Sequence, residues 1–425
     1  MTFRPFTRPL TKHNAVIPLI HHLLKQTFSS LSHRNYRLWF FGQMISLFGT
    51  WMQSTAQGYL LYQLTKSPIY LGYVGFASGI PTWLFTLFGG VTADRMSKRA
   101  MLLITQISMM ILAFILATLT FLNLIQPWHI LILAFCLGIA NAFDAPARQS
   151  IIPEMVGKEN LANAIALNST MFNTATAVGP AIGGLIYAAL GPGWCFTING
   201  ISFIAVIFAL LLMHLNTPPK LPSTNSALND LKEGLIYVAK HPIIRLLILN
   251  LATISLFGFG MIALIPAWAV NVLKGDSVTN GLLLSARGIG ALIGALMIAS
   301  LGSIKFRGKL LAIGSIVMPV FMMIFSLLKW IPLSLITLGI AGWGWMVTLN
   351  LSNVIVQTTV QDELRGRVMG VYTLTFFGLM PMGSLISGAI ASRLGEPTTV
   401  MMSAFILLVF SLVLWVYLPA LRRQE

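Results

Sequence analysis

Acidic side chains are scarce in this chain: eleven Asp and Glu among 425 residues, against 27 Lys and Arg. All eleven (Asp94, Asp144, Glu154, Glu159, Asp230, Glu233, Asp276, Asp362, Glu363, Glu396 and Glu425) fall in polar connections or near the ends of apolar runs. The middles of those runs therefore offer no carboxylate pair for acid–base catalysis and no buried carboxylate suited to proton-coupled transport. Cysteine is scarcer still. Cys136 and Cys195 lie in or beside apolar runs, which argues against a disulfide framework or a thiolate metal site. His129 and His214 border runs singly, and neither HExxH nor GxxxxGK[ST] occurs. Neither an enzyme nor an ATP-driven pump is expected, and neither a cofactor nor a metal.

Apolar residues, by contrast, are abundant. They make up 56% of the chain and Asp, Glu, Lys and Arg only 9%, too few to keep the surface of a soluble domain wet. Apolar runs near twenty residues long recur at about residues 40–63, 69–92, 100–122, 128–147, 163–190 and 194–215. A second set follows near 244–272, 279–302, 309–329, 331–357, 368–391 and 398–419. Twelve spans of that length predict an all-α polytopic membrane protein.

A net charge of +16 is compatible with nucleic acid, but its distribution points elsewhere. With both termini on one side, that side holds twenty-two of the Lys and Arg, and the other holds only Lys66, Lys274, Lys329 and Arg393. The positive-inside rule then places both termini in the cytoplasm of a multi-pass plasma (cell inner) membrane protein, with anionic lipid headgroups as partners and no nucleic acid.

The longest polar interruption, Asn216 to Pro242, sits near the centre and opens with prolines before a stretch, Ala227 to Lys240, that predicts an amphipathic helix. The expected organisation is a basic tail over 1–33, six spans over 34–215, a linker over 216–242, six spans over 243–419 and a short tail over 420–425. The halves also echo each other. ASGIP at 77–81 aligns with ARGIG at 286–290, an offset of 209, and RQSIIPEM at 148–155 with VQTTVQDE at 356–363, an offset of 208. Two matches at nearly one offset predict a duplicated six-helix bundle, a pattern typical of secondary transporters with sites at the repeat interface.

Several stretches carry a more specific likeness. The loop GGVTADRMSKRAML, with Asp94, Arg95, Lys98 and Arg99, resembles the signature loop of the major facilitator superfamily, although Ser97 stands where glycine is usual. AVGPAIGG, with Gly179, Pro180 and Gly183, resembles that superfamily's antiporter signature, with Ala175 in place of its leading glycine. GQMISLFGTWMQ, LTKSPIYLGYVGF, NAFDAPARQSIIPEMV and QDELRGRVMGVY together are similar to an exporter subgroup that includes the enterobactin exporter and drug-efflux proteins. The resemblance covers about residues 33–420 and implies the twelve-helix facilitator fold, two bundles rocking about a central cavity, and export of a small molecule, with the proton as coupling ion and the monomer as the working form. The arginine many facilitators carry in the fourth span is missing here, since Trp128 to Ala147 contains no Lys or Arg. In the same frame Asp94, Arg95, Lys98, Arg99, Asp144, Arg148, Gly179, Pro180 and Gly183 are gating candidates, with Asp144 expected to pair with Lys98 or Arg99.

Polar side chains inside the spans are the candidate substrate contacts. Gln43, Ser46, Thr50, Gln53 and Gln57 recur at spacings of three and four, so they share one face of the first span. Such a face avoids lipid and lines a cavity or bonds a neighbouring helix. Asn173 of the fifth span and Trp343, Asn350, Asn353 and Gln357 of the tenth extend the set, and Trp51 adds a flat ring. Arg287 stands apart. It is the only charge in TNGLLLSARGIGALIGALMIAS, about 16 Å from the nearest polar loop and beyond the reach of snorkelling. Either it bonds carbonyls between helices or it faces the cavity and meets an anion through its bidentate fork. Carboxylate, phosphate or catecholate groups would suit it. An anionic, siderophore-like or amphipathic cargo is thus expected, with multidrug efflux and lipid flipping as alternatives. An anion could also be driven outward by the membrane potential, at about 2.3 kcal/mol per charge per 100 mV, without any proton site.

Overall fold

The computed structural model describes residues 27–213, 227–301 and 306–417. Most of the basic tail, the proline-rich start of the linker and the C-terminal tail lie outside the described residues. A short 3-10 turn, Ser29–Ser32, leads into α1 (Arg34–Thr65), α2 (Pro68–Arg95), α3 (Lys98–Phe121), α4 (Pro127–Leu190) and α5 (Pro192–Leu212). The amphipathic α6 (Ala227–Lys240) precedes α7 (Pro242–Asn271), α8 (Ser277–Ser300), α9 (Arg307–Leu327), α10 (Ile331–Thr359), α11 (Asp362–Leu394) and α12 (Glu396–Tyr417). No strand occurs among the described residues. With α4 crossing twice, the chain makes twelve crossings in two six-helix bundles.

Local chemistry sets the boundaries. Proline in the first turn opens α2, α4, α5, α7 and α10, where its missing N–H costs nothing. Ser97, the departure from the superfamily loop, caps α3 by accepting from the Ala100 N–H. Lys66, Asn123 and Lys274 take left-handed conformations in the turns at the end of the molecule away from the termini, here called the far end; the end bearing the basic loops is the basic end.

Two regions differ from the expected spans. The polar stretch after Ala147 continues the helix instead of looping, because its charges find partners along and beside it, and only Gly157 (φ 69°) breaks the helix. α4 therefore has two limbs, 127–156 and 158–190. In α7 the backbone widens into a π turn at Ile254–Gly258, which seats Gly258 against the rings of Trp345.

The two bundles meet along two seams built from small residues. In lipid, helices gain little from apolar burial, so close backbone approach and carbonyl contacts must hold them. In one seam α2 lies on α11: a Cβ on Gly72 would sit 2.8 Å from the Ser384 oxygen, and one on Gly388 2.8 Å from the Gly72 Cα. In the other, α8 lies on the second limb of α4: Gly281 faces the Pro180 carbonyl, and a Cβ on Gly288 would lie 2.7 Å from the Ala177 Cα. The seams are related by the internal repeat, since Gly72 and Gly281 are 209 apart and Pro180 and Gly388 are 208 apart. Across the second seam the Ala181 N–H donates to the Ser285 Oγ at 2.9 Å and the Ser277 hydroxyl to the Gly184 oxygen at 3.2 Å. At the far end Tyr62, Leu71 and Ala267 join α1, α2 and α7 in one buried cluster.

Toward the basic end space opens beside the helices of both bundles. A Cβ on Gly90, Gly366 or Gly370 would meet nothing within 4 Å. Every ion pair among the described residues at this end stays within one bundle or ties α6 to α11. A matched pair of substitutions tests the seam. Gly288→Ala drives a methyl into α4 and should cost about 1–3 kcal/mol, seen as earlier thermal unfolding in detergent. Gly370→Ala, where the space is open, should leave the melting temperature unchanged or raise it slightly.

Candidate functional site

The capped start of α8 fixes its rotation. The Asp276 carboxylate accepts from the Thr279 N–H at 3.0 Å and from its hydroxyl at 3.2 Å. From there Leu282, Ile289, Ile293 and Leu296 form an exposed stripe suited to lipid. Gly281, Ser285 and Gly288 face α4, while Gly290 and Gly294 face α10. The remaining face carries Asn280 and, two turns further toward the basic end, Arg287. Asn280 is buried and donates to the Thr55 carbonyl of α1 at 3.5 Å, so this face points at the other bundle.

Arg287 lies two turns nearer the basic end than that contact. Its side chain is half-buried, and its Nε is buried without a partner. No acid among the described residues forms an ion pair with it. Its guanidinium carbon stands 6.0 Å from the ring centroid of Trp345, a weak cation–π contact. Trp345 is in turn held edge-on by Phe259 of α7 at 4.6 Å, and Phe259 by Phe376 of α11 at 5.2 Å. Gly342 packs against the backbone of Arg287 and keeps α10 close to α8. The result is a cation on an aromatic floor with unused donors, an arrangement that can receive a flat or forked anion.

The stripe on α1 divides. Gln53 is buried and accepts from the Asn199 amide of α5 at 2.7 Å, so it joins two helices of one bundle. Gly49 lies against Asn199 and Ser202 in the same contact. Gln43, Ser46 and Gln57 are buried too, and the Gln43 Oε1 has no partner. Thr50 alone of the five is exposed, although its hydroxyl donates back to the Ser46 carbonyl at 2.9 Å. Trp51 packs edge-on against Phe172, with Gly179 beneath its Cβ.

On the other helices Asn173 is half-buried and donates to the Ser169 carbonyl at 2.9 Å. Trp343, Asn350 and Asn353 are half-buried on α10; Asn353 accepts from exposed Gln357 at 2.6 Å. Arg287 and Trp345 thus come together, whereas Trp343 lies against Gly290 and Gly294 further along α8, and the polar residues of α1 do not gather as a group.

In the basic loop the side chains of Asp94 and Arg95 lie outside the described ones. Lys98 pairs with Glu154 and donates to the Ser150 carbonyl at 3.2 Å, while Arg99 donates to the Leu211 carbonyl at 2.8 Å. The expected pairing of Asp144 with either is therefore replaced. Asp144, almost fully buried, meets Arg148 one turn on at 3.3 Å and accepts from Thr105 at 3.0 Å and Gln106 at 2.8 Å. Thr105 also borders an apolar cavity of about 500 Å³ between α2, α3 and the first limb of α4, which includes half-buried Cys136. Gly179 and Gly183 bring α4 onto α1, against Trp51 and Met52, while Pro180 offers its carbonyl to α8.

Residues 25–425 match the model of the transmembrane secretion effectors. The chain belongs to that family, within the major facilitator superfamily. Among curated relatives it is 27% identical to the multidrug efflux pump Tap of Mycolicibacterium fortuitum, over 86% of this chain and 91% of that one. It is 26% identical to the staphyloferrin A transporter of Staphylococcus aureus (84% and 90%) and 24% identical to the enterobactin exporter EntS of Citrobacter koseri (92% and 94%). Its fold matches a POT family transporter crystallised with 5-aminolevulinic acid, at a TM-score of 0.73 and 11% identity, covering 91% and 96% of the two chains.

In this secretion effector the polar residues that sequence reasoning missed are interhelical ones: Asn199 and Asn280, each a lone amide in an apolar run, and Ser285, two positions before Arg287. A lone Asn in a span is itself the signal, because lipid leaves its amide no other partner. The Asp144 network supplies a test. Asp144→Leu strands Arg148, Thr105 and Gln106 together and should destabilise the folded protein by about 3–5 kcal/mol, measured as loss of the monodisperse species on heating in detergent. Asp144→Asn, which keeps an acceptor, should cost less.

Proposed function

We propose that this secretion effector is a secondary active exporter working by alternating access, with an anionic, siderophore-like or amphipathic cargo. The basic end faces the cytoplasm of the cell inner membrane, as its excess of Lys and Arg favours. Residues 34–215 and 243–419 act as the two rocking units, with residues 216–242 as their linker and both termini cytoplasmic. Cargo enters from the basic end, meets Arg287 and leaves once the far end opens. The observation that carries this reading is Arg287: a half-buried guanidinium on the face of α8 that meets the other bundle, with no acid among the described residues to neutralise it. An unpaired cation at that depth is costly unless something anionic visits it. The staphyloferrin A and enterobactin relatives support the cargo class.

Thr50, Asn173, Trp343, Asn350 and Asn353 serve as further contacts, and the buried Gln43, Gln53 and Gln57 hold α1 in place behind them. Asp94, Arg95, Lys98, Arg99, Asp144 and Arg148 brace the cytoplasmic gate, and Gly179, Pro180 and Gly183 form the sliding contacts of the seam. No step requires a cofactor or bond chemistry. Proton antiport supplies the drive, and the protein works as a monomer.

A second reading, multidrug efflux, is favoured by the aromatic floor of Trp345, Phe259 and Phe376 and by the likeness to Tap. Transport into inside-out vesicles separates the two. Arg287→Ala should cut uptake of a catecholate or carboxylate siderophore about tenfold or more, with Arg287→Lys intermediate and the amount of folded protein unchanged. Equal transport by Arg287→Ala would remove the anion preference and favour the multidrug reading. Collapsing only the pH gradient should stop uptake; persistence under that condition and loss on collapsing the potential would favour charge-driven export.

A further inference from the structure

Glu396 combines features that no other acid among the described residues shares. It opens α12 directly after Gly395, whose left-handed backbone (φ 80°) ends α11, and it is 94% buried despite lying at the far end of the molecule. Its Oε1 accepts from the Asn271 amide, at the end of α7, at 2.7 Å. The Tyr62 hydroxyl of α1, in the other bundle, interacts with the same amide and with the charge of Glu396. A chain of polar groups therefore runs from α12 through α7 to α1, across the closure formed by Tyr62, Leu71 and Ala267.

Among the described residues the carboxylate has no cation to neutralise it. No Lys, Arg or His among the described residues comes within 4.0 Å. The charged groups at this end, Lys66, Lys274, Asp276, Lys329 and Arg393, are all exposed. Tyr62 is the titratable side chain that faces Glu396 from α1, and α7 contributes the neutral Asn271. Asn271 is itself exposed, which leaves a path for water from that side.

We infer that Glu396 is a proton-binding site that releases the far-end closure. Ionised, it holds Asn271 by a charge-assisted hydrogen bond and so keeps that amide against Tyr62. When water on that side delivers a proton to the carboxylate, the bond loses about half its strength and the acceptor on Oε1 competes with a new O–H donor. The link between bundles slackens and the far end is freed to open. The inference rests on the export reading only for which side is outside. Coupled to it, an acidic exterior would favour the cargo-releasing state.

The test uses the full chain in lipid vesicles, with Cys136→Ser and Cys195→Ser as background and Ala267→Cys as reporter in the closure. A membrane-impermeant maleimide is added from the far side. Labelling should accelerate roughly tenfold between about pH 7.5 and about pH 5, after correction for the reagent's own pH dependence, the scale of one charge-assisted bond. Glu396→Gln should label fast at both pH values, Asn271→Leu likewise, and Glu396→Asp should keep the acceleration. A folded Glu396→Gln protein with the full acceleration overturns the inference. Should that variant fail to fold, Asn271→Leu with unaltered pH dependence does the same. Failure of the export reading looks different: transport indifferent to the pH gradient alongside the predicted labelling leaves the Glu396 site standing and removes antiport. Gradient-driven transport with labelling unaltered in Glu396→Gln does the reverse.

Discussion

Close approach of backbone to backbone is the constraint on which this structure depends. Lipid offers helices almost no reward for hiding apolar side chains from it, so the bundles are joined where glycine lets one helix lie on another's carbonyls. Gly72 and Gly388 do this in one seam, and Gly281 and Gly288 against Pro180 and Thr176 in the other. Pro180 lacks the N–H that would have bonded the Thr176 carbonyl, and that freed oxygen faces Gly288. The defect in one helix is thus used by its neighbour. Hydrogen bonds from Ala181 and Ser277 add direction without filling the gap.

Given those seams, polar groups fall into two populations. Some are paired within one bundle: Gln53 with Asn199, Asp144 with Arg148, Thr105 and Gln106, Lys98 with Glu154. Others are left wanting, chiefly Arg287 with its unpartnered Nε. The first kind ties the helices of each bundle to one another. The second kind is expensive in the membrane.

Much of this was legible in the sequence. The apolar runs and their basic flanks fixed the class, and the offset of about 209 identified helices that turn out to occupy equivalent places in the two seams. Arg287 was visible because a lone charge in twenty apolar residues has no competing explanation on its own helix. The stripe on α1 was legible as a face but not as a destination. A period of 3.6 tells which residues point together; it does not say whether a neighbouring helix, such as the one bearing Asn199, is there to meet them. The partner of Asp144 was misjudged for a related reason: its helix did not stop where the polar residues began, and an Arg one turn along was closer than any in the loop. Glu396 looked like an ordinary loop acid because burial at a turn depends on how three helices converge, which no local pattern records.

The single break at Gly157 has a mechanical consequence. Because α4 reverses at one residue and not through a loop, its two limbs behave as arms of a lever with a glycine fulcrum. One arm carries the Asp144 network; the other carries Pro180 and bears on α8. The corresponding reversal in the second bundle passes through Val360 and Gln361 between two separate helices, which allows more play. The charged arm of the first bundle and the arm that bears on the seam are thus separated by one residue of backbone.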